Sequence, residues 1–173
     1  MEKLIRIFNN LQRGYVFCAS TTILHKKLHT AVRPIILLPL EDVSEESIGK
    51  CIRETLELAK NASPVDLEKE KLYEYWKDAG YKTFGRFTKE HICMELEEKE
   101  DKYFYEHYFY YMQGCYVGTR HWYERDYVNN NISNKELGRL IIEQMNSVKG
   151  QSLKKWTKYV WDGSTWINNK TKK

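Results

Sequence analysis

The chain has 173 residues, of which 42% are hydrophobic and 30% are charged. That balance is typical of a globular protein and excludes a disordered one. The length suits one well-buried core, whereas two full domains would be cramped. Residues 150–173 hold six lysines and one aspartate, so the formal charge of +4 leaves the preceding 149 residues with a net charge of −1. We therefore expect no nucleic-acid binding by the folded body.

The sequence carries no pattern that directs a chain to a membrane. No stretch approaches the roughly 18 apolar residues of a membrane span, and residues 1–6 do not resemble a signal peptide. The four cysteines are scattered and form no CxxC pair. We expect a cytoplasmic protein with reduced cysteines and no membrane partner.

The N-terminal part predicts strands. Residues 4–8 and 15–21 are rich in β-branched and aromatic side chains and flank a turn at Gly14, which predicts a hairpin. Residues 34–38 form a continuous apolar run, which is typical of a strand covered on both faces.

A ten-residue pattern then occurs twice, at residues 43–52 and 132–141. Each copy opens an amphipathic helix, predicted over residues 44–60 and 133–148, in which apolar or small residues recur at helical spacing. Each start carries a serine N-cap. A glycine inside a helix costs about 1 kcal/mol relative to alanine, so its recurrence at the same place in both copies predicts close backbone approach. The repeated serines and glycines are Ser44, Ser133, Gly49 and Gly138.

Between the repeats, the pattern changes from helical to alternating. A further helix is predicted from Asp66 to Gly80, with one more helical turn at residues 83–87. Alternation begins at residue 91, residues 97–101 read as a polar turn, and an aromatic strand follows from residue 102 to 112. Residues 114–128 predict another strand.

The last residues form a separate segment. Asp162-Gly163 lies between two tryptophan-rich runs, which predicts a hairpin with a tight turn. We divide the chain into an α+β domain at residues 1–150 and an appended Trp- and Lys-rich hairpin or tail at residues 151–173. The predicted fold of the domain is a mostly antiparallel sheet with two equivalent amphipathic helices packed on it, plus a third helix.

Catalytic and metal-binding motifs are missing from the sequence. His25 and His29 are four residues apart, but no third ligand lies near them. His107 and His121 could serve as the acid and base of a hydrolase, although their spacing does not require it. We expect no catalytic residues, no cofactor and no bound metal.

Residues 103–127 are unusually aromatic, since eleven of these 25 residues are Phe, Trp or Tyr. Aromatic strands can stack nucleic-acid bases, so an RNA-binding module that uses these strands and the basic tail is an alternative interpretation. The arrangement of glycines and basic residues found in RNA-recognition strands is not present at residues 113–118. An aromatic core with a protein-binding patch is the preferred interpretation.

An ordered set of segments in residues 1–150 resembles a known family, the immunity proteins of bacterial contact-dependent growth inhibition. The segments are residues 4–8, 34–40, 44–49, 76–87 and 133–138. The resemblance implies an α+β protein without catalytic activity. It also implies that the protein binds and blocks, in the cytoplasm, the C-terminal toxin domain delivered by a neighbouring cell. Some members are paired with ribonuclease toxins.

If the toxin is a ribonuclease, its active site must hold a polyanion and is expected to be basic, so an inhibitor that covers it should offer carboxylates. The densest acidic run, within residues 95–101, is predicted to lie at a turn. The aromatic strand that follows could supply side chains that become buried in the interface with the toxin. A solvated hairpin tip is the competing interpretation. The predicted toxin-binding residues are Glu95, Glu97, Glu98, Glu100, Asp101, Tyr103 and Tyr105.

Overall fold

An antiparallel sheet forms the centre of the molecule. The computed structural model describes residues 3–26, 28–111, 115–118, 125–148, 159–161 and 165–168. In sheet order, the strands are β3 (His29–Ala31), β2 (Gly14–Thr22), β1 (Lys3–Asn10), β5 (Ile92–Lys99), β6 (Lys102–Tyr111) and β7 (Cys115–Gly118). β4 (Ile36–Pro39) also pairs with β2, and β8 (Asp126–Asn129) also pairs with β6. The predicted α+β class with a mostly antiparallel sheet is confirmed.

Four helices accompany the sheet in the described part of the chain. They are α1 (Glu45–Asn61), α2 (Tyr75–Asp78), α3 (Phe84–Lys89) and α4 (Asn134–Ser147). α1 and α4 cover one face, where their apolar stripes form a core with Ile5, Ile7, Met94 and Leu96 of the sheet. Because side chains alternate along a strand, the neighbouring Phe8 faces the opposite side. There it packs with aromatic residues of the segment that contains α2 and α3.

The two repeats are the paired helices α1 and α4, as predicted. Ser44 and Ser133 are their N-caps, and each accepts a hydrogen bond from the backbone N–H three residues on. A Cβ built on Gly49 would lie 2.7 Å from the Cα of Asn134, and one built on Gly138 would lie 3.0 Å from the Cα of Glu45. The predicted close backbone approach is therefore confirmed, and the neighbour of each helix is the first residue of the other.

The helix predicted from Asp66 to Gly80 is wrong for most of its length. Asp66 accepts a hydrogen bond from the backbone N–H of Glu68, at 3.1 Å, and forms a local turn instead of capping a long helix. Leu72, near the middle of the predicted helix, is 51% exposed. In this segment the helical structure is limited to α2, which Gly80 ends with a φ of +84°, and to α3, which corresponds to the predicted helical turn and buries Phe87.

Other boundaries also differ from the sequence predictions. Residues 34–38 were predicted to be covered on both faces, but Leu37 of β4 is 49% exposed because β4 is an outer strand. Residues 114–128 are not one strand: β7 and β8 are separate, and both pair with β6. The predicted C-terminal hairpin is present as β9 (Tyr159–Trp161) paired with β10 (Trp166–Asn168), while the Asp162-Gly163 turn lies outside the described residues.

Candidate functional site

Three neighbouring strands carry acidic and aromatic side chains on the sheet face that points away from α1 and α4. Along β5, Met94 and Leu96 face those helices, so Glu95 and Glu97 face the other way. Cross-strand pairing sets Glu97 beside Phe104 of β6, and Phe104 beside Tyr127 of β8. In the next row, Glu95 pairs with Glu106. Two rows of side chains, one partly aromatic and one acidic, therefore lie next to each other.

Arg125 binds three carboxylates in this region. Its Nη1 donates to Glu97 at 2.7 Å, its Nη2 to Glu95 at 3.0 Å, and its Nε to Glu106 at 3.0 Å. The side chain of Arg125 is only 12% exposed, and those of Glu95 and Glu106 are 6% and 4% exposed. The shielding from water strengthens each of these charge-assisted bonds.

Two further side chains contact the same carboxylates. The Tyr108 hydroxyl donates to Glu95 at 3.0 Å, and Arg6 Nε contacts the other oxygen of Glu95 at 3.4 Å. Burial, followed by the nearby Glu95 carboxylate, raises the pKa of Tyr108 far above its usual range, so the phenol stays a neutral donor. We call Arg6, Glu95, Glu97, Glu106, Tyr108 and Arg125 the buried ion network.

The two guanidinium groups of the network remain charged despite their surroundings. For Arg125, burial opposes the charge, but the carboxylates of Glu106 and Glu95 outweigh it and the pKa is raised. The same competition between burial and Glu95 raises the pKa of Arg6. One carboxylate oxygen, Oε2 of Glu106, is buried and accepts no hydrogen bond. Such an acceptor is an uncommon feature of a folded protein.

The surface beside the network is aromatic. The rings of Phe104 and Tyr127 are 5.6 Å apart, and Tyr127 is 57% exposed. Nζ of Lys102 lies 4.2 Å from the centroid of the Tyr127 ring, in cation–π contact. We call Phe104 and Tyr127 the aromatic pair.

The predicted toxin-binding residues do not form one patch. Glu95 and Glu97 lie in strand β5 and not in a turn, and Glu95 is buried in the ion network. Glu98 points to the helix-covered face, where Lys3 and Asn130 donate to it. Of the acidic run, Glu100 and Asp101 occupy the turn, as predicted, and both are exposed.

The two tyrosines of that prediction belong to the core. Tyr103 is 1% exposed and its hydroxyl accepts a hydrogen bond from Arg53 at 2.9 Å, while Tyr105 is 9% exposed. Both therefore lie on the helix-covered face of the sheet, opposite Glu95 and Glu97. Among the residues whose burial is described on the face of Glu95 and Glu97, Tyr127 of β8 is exposed, and its cross-strand neighbour Phe104 of β6 is partly exposed.

Sequence reasoning missed the roles of Arg6, Glu106, Tyr108 and Arg125. Period-two alternation from Glu95 would have indicated that Glu95 and Glu97 share a face. The sequence contains no local signal that joins Arg125 to them, because the network depends on which strands are neighbours.

The catalytic and metal-binding alternatives gain no support from the described residues. His25 lies in a turn with a φ of +60° and His29 in β3, so the two are not on one face of a helix. No group of three or more potential metal ligands is present among the residues that the structure describes. His107 lies in β6, and His121 falls outside the described residues.

A small cavity of about 150 Å³ lies on the same sheet face, beside β2 and β4. Arg13, Tyr81 and His91 contribute to its lining, and the Arg13 guanidinium lies 4.9 Å from the Tyr81 ring centroid. His91 is 1% exposed and its Nδ1 is 2.7 Å from the Phe87 carbonyl oxygen. Burial lowers the pKa of His91 to about 4, so this imidazole is neutral near pH 7.

The fold and this face together define an α+β protein with an antiparallel sheet between two helical layers and a buried ion network beside an exposed aromatic side chain. The chain matches no family model and no curated protein sequence. Among solved structures it resembles a protein of unknown function from Neisseria meningitidis, with a TM-score of 0.65 and 15% identity, over 85% of this chain and 95% of that one.

It also resembles a chain of the CdiA-CT/CdiI toxin and immunity complex from Yersinia pseudotuberculosis. The TM-score is 0.60 and the identity 12%, over 84% of this chain and 97% of that one. At such low identity these likenesses show a shared fold. Within the part of the chain that the structure describes, no helix is long and apolar enough to cross a membrane.

Proposed function

We propose that this chain is a non-catalytic immunity protein that binds and blocks a toxin domain in the cytoplasm. The observation that carries the proposal is the fold shared with a chain of a toxin and immunity complex over 84% of the present chain. The sequence resemblance to immunity proteins of contact-dependent growth inhibition is consistent with it. A surface that blocks a toxin by binding needs no catalytic motif, which fits the sequence.

The sheet face described above supports this proposal through its composition. Tyrosine, tryptophan and arginine are enriched at protein interfaces, and exposed aromatic side chains beside buried polar groups are typical of interface centres. Tyr127 is exposed next to Arg125 and Glu97, which are tied together in a fixed geometry. A partner with a basic active site would meet the partly exposed Glu97 here, while Glu95 and Glu106 are buried.

Two observations weaken the hypothesis that this chain binds RNA. Tyr103 and Tyr105 are core residues and cannot stack bases without unfolding the sheet. The net charge of −1 on residues 1–149 also opposes phosphate binding.

Coexpression with the product of the adjacent gene tests the proposal. We expect the two proteins to copurify, and we expect the chain to restore growth of cells that produce the toxin domain. An unrelated toxin domain is the control and should neither copurify nor be neutralised. Failure to copurify together with failure to protect would refute the immunity function.

Salt dependence separates protein binding from RNA binding. Affinity for single-stranded RNA falls with salt by a log–log slope of roughly −0.7 for each phosphate contact. We expect no measurable binding to a single-stranded RNA oligonucleotide at physiological salt. Tight binding with a steep negative slope would favour the RNA alternative.

A further inference from the structure

We propose that the cavity beside β2 and β4 binds a small carboxylate whose apolar part is about the size of a benzene ring. The inference goes beyond the proposed function, because it concerns a free small molecule and not the toxin.

The size and lining of the cavity are the first argument. Its volume is about 150 Å³, and an engineered cavity of roughly this volume in another protein binds benzene. Burying an apolar group against aliphatic side chains is favourable, because it removes apolar surface from water. The aliphatic residues of the lining are Val16, Leu37, Leu38, Pro39 and Ala79.

The cavity is accessible from the surface. Of its lining residues, Arg13 and Pro39 are exposed, and Leu37 is 49% exposed. Val16 and His91 are buried and belong to its inner part. A ligand can therefore enter on the side of the exposed residues and place its apolar part inwards.

The donors of Arg13 at the mouth of the cavity are the second argument. The Arg13 guanidinium group lies 4.9 Å from the Tyr81 ring centroid. Among the residues that the structure describes, its side chain forms no ion pair and donates no hydrogen bond. A cation–π contact requires only that the charge lie over the ring. The N–H groups of Arg13 are therefore available to an anion.

The neighbouring ionised groups do not neutralise Arg13. The carboxylate of Glu90 interacts with it electrostatically, but Glu90 already accepts a hydrogen bond from Arg86 at 3.0 Å. Burial opposes the charge of Glu90, whereas Arg86, Tyr81 and Arg13 outweigh it and lower the pKa of this carboxyl group. His91 is neutral near pH 7. Two arginines and one glutamate thus leave a net charge of +1, which matches a monoanion.

A carboxylate fits these surroundings better than a phosphate does. It accepts two parallel hydrogen bonds from one guanidinium group, and its single charge is balanced by the net charge at the mouth. A phosphate monoester carries about two negative charges near pH 7. One of them would remain uncompensated beside aliphatic side chains, which is unfavourable.

The test is a titration of benzoate onto the full chain, followed through the backbone amide NMR signals of Gly14, Leu38 and Ala79. We expect saturable shifts of these signals. Arg13→Gln should raise the Kd at least about tenfold, which corresponds to roughly 1.4 kcal/mol. The melting temperature should not fall, because Arg13 is exposed.

Two further ligands separate the contributions of charge and ring. Benzamide has the same ring without the charge, and acetate has the charge without the ring. Each should bind at least about tenfold more weakly than benzoate. Equal affinities for all three compounds would contradict a site that needs both an anion and an apolar group.

Arg33→Gln is the matched control. Arg33 is also an exposed arginine over a tyrosine ring, with its guanidinium group 4.7 Å from the Tyr73 centroid, but it does not line the cavity. This variant should bind benzoate as the natural chain does. Ala79→Leu enlarges a side chain of the lining and should raise the Kd although Arg13 is retained.

Four results would overturn the site. They are no saturable shift with benzoate, the same Kd for Arg13→Gln and the natural chain, equal losses in Arg13→Gln and Arg33→Gln, or unchanged binding by a folded Ala79→Leu variant. None of them bears on the immunity function, because the titration contains no toxin.

Discussion

Gly49 and Gly138 occupy equivalent positions of α1 and α4, and each contacts the first residue of the opposite helix. Gly49 lies against Asn134, four residues before Gly138, and Gly138 lies against Glu45, four residues before Gly49. The contact is reciprocal, as expected for two copies of one helix related by a local two-fold arrangement.

We expect Gly49→Ala and Gly138→Ala each to lower the free energy of unfolding by about 1–3 kcal/mol, because the new methyl group meets backbone that cannot rotate away. This loss must exceed the gain of about 1 kcal/mol that alanine brings within a helix. Gly49→Leu and Gly138→Leu should be more destabilising. Denaturant titration measures the effect.

Gly85 provides the control, because it lies in α3 and a Cβ built on it would meet no atom outside its own helix within 4 Å. Gly85→Ala should stabilise the protein by about 0.4–1 kcal/mol. If all three alanine variants shift the midpoint in the same direction, the close approach of α1 and α4 does not limit stability.

Removal of Arg125 should destabilise the sheet strongly. Arg125→Ala leaves three carboxylates without their shared cation, and breaking a buried ion pair in this way costs about 3–5 kcal/mol. Arg125→Lys should recover little, because an ammonium group cannot reproduce the fork that contacts Glu95, Glu97 and Glu106. Urea unfolding is the measurement.

The exposed ion pair of Lys50 and Glu54 provides a comparison for Arg125→Ala. Lys50 and Glu54 are 3.8 Å apart on α1, and their side chains are 69% and 51% exposed. Lys50→Ala should change stability by less than about 1 kcal/mol. Equal losses for Lys50→Ala and Arg125→Ala would contradict the special role of the buried network.

His91 should make stability depend on pH between about 6.5 and 4. Its pKa is lowered to about 4 by burial, whereas the unfolded chain has the ordinary value of 6.5. The unfolded state therefore binds the proton first, and stability falls as pH decreases through this window, by on the order of 3 kcal/mol. Above the window, the contribution is constant.

The variant His91→Phe isolates this contribution, since a phenyl ring preserves the stacking on Phe87, whose ring centroid lies 4.1 Å away. Its free energy of unfolding should change less between pH 6.5 and 4 than that of the natural chain. His25→Asn, at an exposed position, should retain the full dependence. Identical pH profiles for all three proteins would show that His91 is not the responsible group.

Residues 151–173 should be separable from the domain at residues 1–150. Both repeat helices and the eight-stranded sheet are complete before residue 150. A chain truncated after Gly150 should therefore unfold cooperatively and retain binding of the toxin. Loss of the cooperative transition would mean that Trp156, Trp161 or Trp166 contributes to the core.

The features that the sequence predicted correctly are those encoded locally. The serine caps, the apolar stripes and the paired glycines lie within single helices, so α1 and α4 could be read from residues a few positions apart. The candidate site depended on distant neighbours. Glu95 and Arg125 are joined only because β5, β6 and β8 are adjacent.

The segment before α2 shows a related limit. Asp66 is an equally good residue for a turn and for a helix cap, and local pattern does not decide between them. Here its carboxylate binds the Glu68 backbone, and the following chain is not helical until Tyr75. The predicted turn at residues 97–101 begins too early for a similar reason, since charged residues suit both a turn and an exposed strand end, and β5 continues to Lys99.

The position of β1 has a consequence for how the chain folds. β1 pairs with β2 through a short turn, but its other edge pairs with β5, so that Leu4 lies opposite Glu97. The middle of the sheet closes only when everything between Asn10 and Ile92 has been synthesised and brought together. Non-local pairing of this kind slows folding, because the entropy of closing a long loop is lost before the contacts form. A nascent chain that has emerged only as far as α1 therefore contains β1, β2 and β4, which α1 contacts, but still lacks β5 and the paired helix α4.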